Sequence, residues 1–522
     1  MKAGTVIGTA DAISAQSRGL GETREPAMPI RAYAVAIVFA AIAEMGQAQT
    51  FHPDIPRAWD DAEVARFEMP LAQRDRSPRY MSAAEYYALK VRPIYRSYPM
   101  YAPGREPAGY TESLKTKEPE ILFDPSKLRT KEDWIQAGKL VFESDTSFRP
   151  APAGGPPADA LDMSSGKVGK DGELPYFLPI SRYYIRQKGV LEVGSNACAG
   201  CHTRVMPDGS FLEGAQGILD VPFKSAVKAV REASPDAVRR RAERDWVLFG
   251  APWIIGKEQF FDSSTQESLL AELTARQPGV LARQGSSPTH PPHIPSLIGV
   301  QELRHLDAPG LVHHRSIGDL MRYAIVNEGL DTLAYFGNFQ PSPHPTLFGA
   351  DEGTRYSDEQ LYALALYIYS LKPPANPNRL DDRARRGQKI FEQQGCAGCH
   401  VPPLYTNNKL TPAPGFRVPD DLLKSADILN VSVGTDPTLA TQTRRGTGFY
   451  KVPSLRGVWY RNAFGHGGQA ETLEEWFDPA RLKDDYVPKG FHIGPGPIKG
   501  HEFGLKLAAD DRQALIAFLK TL

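Results

Sequence analysis

Two five-residue stretches carry the residues with the clearest chemistry, Cys198-Ala199-Gly200-Cys201-His202 and Cys396-Ala397-Gly398-Cys399-His400. Each reads Cys-x-x-Cys-His, the attachment signature of a c-type haem. Two thiols three residues apart on one helical turn can each add across one haem vinyl group. The adjacent histidine then lies beneath the ring as the proximal iron ligand. The bland readings of Cys-x-x-Cys are a zinc site or a redox dithiol. Two features oppose them: each copy carries the trailing histidine, and all four cysteines of the chain fall in these two stretches. The expectation is two covalently bound c-type haems, held by Cys198, Cys201 and His202 and by Cys396, Cys399 and His400.

The sixth ligand of each iron then decides the chemistry. A haem with two protein ligands shuttles electrons, and one with an open position binds dioxygen or peroxide. No methionine follows His400. The second haem is therefore expected to take a histidine: His501 first, before the last helix, with His466 and His492 as alternatives. After His202 the next histidine is His290, and Met206 stands too close in sequence to reach over the ring. His290, His293, His305, His313 and His314 are distant candidates that a loop would have to bring over. The first haem is expected to be open or weakly ligated, which makes His202 the ligand of the catalytic iron. Trp246 and Trp253 are candidate stepping stones between the haems, with core packing as the plain alternative. Tyr323, Tyr335, Phe336 and Phe339 are aromatic candidates for the first distal side, again with core packing as the alternative.

The elements that must position these residues repeat. Trp134–Glu143 resembles Ala384–Glu392, each an amphipathic helical pattern ahead of a haem motif. A Gly/Pro/Ala-rich insertion around 150–157 separates helix from motif in the first copy only. Pro295-Ser296-Leu297-Ile298-Gly299-Val300 is echoed by Pro453-Ser454-Leu455-Arg456-Gly457-Val458. A helix closes each copy: one from Ser357, with a capping box to Gln360, the other from Asp510, with acids in its first turn. Consecutive prolines in Lys372-Pro373-Pro374 exclude helix between the copies. The expected fold class is mainly α, two tandem cytochrome c-like domains with long loops and an N-terminal extension. The boundaries are 1–48 for a signal-peptide region, 49–130 for the extension, 131–375 for the first domain and 376–522 for the second.

With 522 residues and equal numbers of basic and acidic groups, 61 each, the chain has room for two or three cores and no basic field for nucleic acid. The apolar run from Ala32 to Ala43 is too short to span a membrane but has the length of a signal-peptide core. Met28 reads as the start of that signal, with Gly46-Gln47-Ala48 as a cleavage site and an uncleaved anchor as the alternative. No later stretch is long and apolar enough for a membrane domain. Export to the periplasm or beyond agrees with the haem reading, because bacteria attach c-type haem outside the cytoplasm. A charged stretch from Ala226 to Trp246 reads as a solvated face, with docking of an electron partner as the alternative.

The tandem Cys-x-x-Cys-His domains, the Pro-Ser-Leu-x-Gly-Val element and the Phe464-Gly465-His466-Gly467-Gly468 loop followed by Thr472-Leu473-Glu474-Glu475 resemble the bacterial dihaem cytochrome c peroxidase superfamily. The 198-residue spacing of the motifs, Asp319–Ala324 and Val452–Arg461 are most similar to its rubber-oxygenase branch. The resemblance covers about residues 130–522. It implies an active haem at His202, a relay haem at His400, and calcium between the domains in peroxidase members, whose ligands do not map here. The peroxidases place a histidine soon after the first motif and a methionine after the Phe-x-His loop; this chain has neither. Rubber-cleaving members are also longer toward the C-terminus. The expected partners are a small redox protein or a small-molecule or polymer substrate. The rival is a dihaem electron carrier, both irons closed, serving a separate dehydrogenase.

Overall fold

The computed structural model describes residues 50–152, 169, 171–178, 181–217, 224–327, 334–341 and 354–522. The signal-sequence reading of residues 1–48 and most of the 150–157 insertion lie outside the described residues.

Two helix crossings repeat. The first leading helix, Lys131–Glu143, starts at a Thr130/Asp133 capping box and buries Trp134, Ala137, Gly138, Val141 and Phe142. That spacing puts an apolar stripe on one helical face. The first closing helix, Asp358–Ser370, starts at the Ser357/Gln360 capping box and is buried almost all round. They cross so tightly that a Cβ on Gly138 would stand 1.9 Å from the Ala363 carbonyl oxygen. The second leading helix, Asp382–Gln393, and the second closing helix, Ala509–Lys520, do the same. There a Cβ on Gly387 would stand 1.9 Å from the Ala514 oxygen. Glycine is needed at both crossings because only a missing Cβ lets two backbones approach so closely. Ile390, Phe391, Leu515 and Phe518 share the core around the second crossing.

The two Pro-Ser-Leu-x-Gly-Val stretches each run into a 3₁₀ turn, Val300–Glu302 and Val458–Tyr460. Each turn is entered by a left-handed glycine, Gly299 at φ 77° and Gly457 at φ 75°. Strand content is small and local. A four-stranded antiparallel sheet places Arg182–Gln187 and Val190–Ser195 between Ser97–Pro99 and Ser147–Pro150. Its strand Val190–Ser195 leads directly into the first motif. A hairpin of Thr203–Val205 with Phe211–Glu213 leads away from it. The charged stretch near residue 230 is two helices, Lys224–Arg231 and Pro235–Phe249, with Ser234 capping the second.

Residues 52–522 form one compact unit, and the extension is part of it. Trp59 is fully buried and its indole N–H donates to the Met81 carbonyl at 2.9 Å. The Met69 N–H donates to Leu311 O at 2.6 Å, while its side chain packs on Leu410, Val418 and Phe449. Lys90–Val91 pairs in parallel with Thr354–Arg355. Arg74 makes a two-pronged contact with Asp421 at 2.9 and 2.8 Å. The extension therefore touches chain that belongs with both motifs.

Candidate functional site

The first motif forms a single helical turn, Cys198–Cys201, and its His202 N–H returns to the Cys198 carbonyl at 3.1 Å. The second forms a 3₁₀ turn, Cys396–Gly398, entered through left-handed Gly395, with His400 N–H bonded to Cys396 O at 2.9 Å. In both cases the two thiols and the imidazole of the turn line one cavity. Burial pushes the Cys396 thiol up to about 11 and raises Cys399 as well. Reactive Cys-x-x-Cys pairs have lowered thiol pKa values, so this environment is the opposite of a dithiol redox centre.

Each motif histidine is oriented by a backbone carbonyl. His202 Nδ1 lies 3.1 Å from Pro295 O, and His400 Nδ1 lies 3.0 Å from Tyr405 O, with the Pro453 carbonyl also on the ring. Metal-bound imidazoles generally donate their second ring N–H this way, which fixes the tautomer and leaves Nε2 for the metal. Pro295 and Pro453 are the first residues of the two echoed stretches, so the repeat supplies an orienting carbonyl to each histidine. Burial lowers the His202 pKa to about 4, which keeps its ring neutral and able to ligate.

Both motifs open into one internal cavity of about 1180 Å³. A single small-ligand pocket is roughly 300–1,000 Å³. Cys198, Cys201, His202, Cys396, Cys399 and His400 all line it. Two buried cations also line it. Burial, reinforced by Arg461, brings the Lys451 ammonium down to about 8 against the pull of Asp307. Arg461 has a buried Nε with no hydrogen-bond partner. A buried cation needs an anion, and a haem brings two carboxylates. The thiols, the carbonyl-oriented imidazoles, the cavity and these cations fit the group that the motifs imply.

Five histidines and no methionine are among the described residues lining the cavity. His501 faces His400, ring centroids 6.3 Å apart. Two imidazoles sharing one metal through bonds of about 2.0–2.1 Å have centroids about 6 Å apart once the ring radii are added. His501 Nδ1 is buried with no hydrogen-bond partner, and burial, with His400 adjacent, brings its pKa down to about 4. His466 is engaged elsewhere: its Nε2 lies 2.7 Å from Thr435 Oγ1 and its ring stacks on Tyr450 at 3.5 Å. His492 Nδ1 lies 2.8 Å from Gly490 O.

The candidates for the first distal side are placed as follows. His293 lines the cavity two residues before Pro295, on the stretch that orients His202, and its Nδ1 lies 3.0 Å from Gly465 O. His305 pairs with His313 across a two-residue ladder. His314 sits between Leu303 O at 2.8 Å and Tyr369 Oη at 2.6 Å. His290 contacts Thr289. Met206 closes the hairpin turn through its backbone. Tyr323 lines the cavity and takes a 2.7 Å bond from Arg283. Tyr335 is exposed. Trp246 and Trp253 pack with Phe336 and Phe339 in an aromatic cluster that is not among the cavity lining. Trp459, which sequence reasoning passed over, does line it. Its signal was the stretch Pro453–Asn462, whose Pro453 carbonyl reaches His400 while Asn462 accepts a hydrogen bond from Arg204 beside the first motif.

Among the described residues, no cluster of three or more His, Cys, Asp or Glu side chains is placed to hold a metal ion by itself, and no helix is long and apolar enough to cross a membrane. No family model and no curated protein matches the sequence. Similar solved structures include hydrazine synthase of Kuenenia stuttgartiensis under xenon pressure, at 17% identity, covering 61% of this chain and 98% of that one, with a TM-score of 0.29. A MauG-like protein associated with microbial copper homeostasis is 18% identical over 55% of this chain and 88% of that one, TM-score 0.28. A variant of the diheme peroxidase BthA from Burkholderia thailandensis is 17% identical over 61% of this chain and 94% of that one, TM-score 0.24.

Proposed function

We propose that the chain is an exported dihaem c-type cytochrome oxidoreductase built as two tandem cytochrome c-like domains, 131–375 and 376–522. Cys198, Cys201 and His202 would hold the first haem, and Cys396, Cys399, His400 and His501 would hold the second. A haem iron with an open position binds dioxygen or peroxide, and one closed on both faces passes electrons.

The chain's own residues prepare these roles. Pro295 O accepts a hydrogen bond from His202 Nδ1 and so leaves Nε2 as the nitrogen able to bind iron. Tyr405 O does the same for His400. Lys451 and Arg461 offer positive charge to the haem carboxylates. The observation that carries the reading is the His400–His501 pair: the two rings stand with centroids 6.3 Å apart, the spacing of two imidazoles on one iron, whereas no such ring pair is formed by His202 among the described residues.

Ferric-state EPR of the purified dihaem protein tests this. One high-spin and one low-spin iron are expected, with the high-spin signal perturbed by peroxide and carbon monoxide binding after reduction. If both irons are low-spin and neither ligand changes the spectrum, the protein is an electron carrier and the catalytic reading is abandoned.

A further inference from the structure

A polar cluster outside the cavity lies one strand from the first motif. Glu213 pairs with Thr203 across the hairpin, and the next residue, Gly214, donates its N–H to the His202 carbonyl at 2.6 Å. The Glu213 carboxylate accepts the Tyr176 phenol on Oε1 and the Tyr367 phenol on Oε2. The Lys139 ammonium bridges both oxygens at 2.8 and 3.0 Å. Tyr367 is buried, on the helix that carries the cavity-lining residues Leu364 and Ile368. Tyr176 is half-buried and meets Phe211, which is 45% exposed, edge-on at 6.5 Å. The two phenols thus form an ordered pair running from beside the cavity to the surface.

A phenol loses an electron readily only if its proton has somewhere to go. Here each phenol is already bonded to a carboxylate, and Lys139 with the two phenols holds Glu213 below the usual carboxylate range, so it is ionised and able to accept. Two tyrosines on one carboxylate place two redox-active groups at a single proton acceptor.

We infer that Tyr367 and Tyr176, with Glu213 as shared proton acceptor, form an oxidation outlet for the first haem site when hydrogen peroxide acts on it without a reductant. Each step is balanced. The phenol gives one electron to the peroxide-oxidised site and its O–H proton to Glu213, leaving a neutral tyrosyl radical and a protonated carboxyl. The electron then moves from Tyr176 to Tyr367 with the reverse proton exchange, so the radical ends at the half-buried position. This rests on the proposed reactivity of the first haem.

The test is rapid-freeze EPR of the ferric dihaem protein after hydrogen peroxide, alongside the visible haem spectrum. The wild-type protein should give a radical signal that narrows when the tyrosines are ring-deuterated, an assignment that needs no mutant. Tyr176→Phe should move the radical to Tyr367 and change its line shape. The double variant Tyr176→Phe/Tyr367→Phe should lose the signal, and Glu213→Gln should cut its yield, while the peroxide-induced haem change persists in all three. A radical that survives the double variant, or one that does not narrow on deuteration, overturns the outlet and leaves the haem reading intact. A haem spectrum that peroxide does not alter at all overturns both.

Discussion

His501 occupies a left-handed backbone position, φ 47°, just after Gly500 at φ 75°. Its N–H is held by Val433 O at 2.6 Å. The strained turn aims one imidazole at another, and nothing else binds its buried Nδ1. Asparagine tolerates this backbone region better than alanine, so His501→Asn isolates the ligand effect. The variant should convert the second haem to high spin, read by EPR; an unchanged low-spin signal would mean that another residue closes that iron. Asp319 is a second residue whose setting makes a prediction. It is fully buried, takes hydrogen bonds from Arg315 and Arg322, and those bonds outweigh burial to hold its pKa near about 2. Removing one partner of a buried ion pair costs about 3–5 kcal/mol, so Asp319→Asn should lower the denaturant midpoint at neutral pH. The folded pKa lies below the unfolded value of about 3.9. The stabilisation is therefore complete above about pH 4 and fades as pH falls toward about 2, since the unfolded chain then takes up the proton more readily. The wild-type protein should lose this increment between those limits and the variant should not, as measured by unfolding at a series of acidic pH values.

At the scale of elements, the two glycine crossings are the features on which the fold is most exposed. Gly138 on Ala363 and Gly387 on Ala514 leave no room for a methyl group, and the obstructing atoms are backbone oxygens. Backbone cannot rotate away as a side chain can, so helix must slide on helix. Gly387→Ala is expected to cost at least about 1–3 kcal/mol, the usual range for overpacking, visible as a lower unfolding midpoint. An exposed glycine such as Gly395, with nothing within 4 Å of its Cβ position, lacks this steric penalty but carries a left-handed φ. The orienting carbonyls of Pro295 and Pro453 are also element-level devices. Both sit at the head of a stretch whose left-handed glycine turns the chain.

At the scale of the whole molecule, the extension packs on the rest of the chain through buried contacts. Met69 bonds through its backbone to Leu311 and through its side chain to Leu410, Val418 and Phe449. It is 2% exposed. Met69→Ala should destabilise the protein by about 2–5 kcal/mol, as large-to-small core changes do, in a single transition if 52–522 unfolds as one unit. Arg74→Ala should change stability by less than about 1 kcal/mol, because the Arg74–Asp421 pair is solvent-exposed. Parallel denaturation curves for the two variants separate packing from surface charge as the source of the extension's hold.

The two Cys-x-x-Cys-His motifs were legible in the sequence because their pattern is local: five residues about one turn carry two thiols and an imidazole. The helix pairs were legible for a similar reason, since capping boxes and an apolar stripe at helical spacing act within a dozen residues. What lies over each iron is a different kind of question. His400 and His501 are about a hundred residues apart, and nothing in either neighbourhood distinguishes His501 from His466 until Thr435 and Tyr450 are seen to occupy the latter. Trp246 and Trp253 illustrate the same limit, since their distance from the motif in sequence said nothing of the Phe336 and Phe339 rings that enclose them. Lys451, Arg461 and Glu213 were silent because an unpaired or shared charge shows itself only when its surroundings are folded. The primary structure alone determined where two thiols and an imidazole share one turn; the packing of distant loops decided what faces His400, because His501 reaches it through a fold-level contact and not as a neighbouring residue.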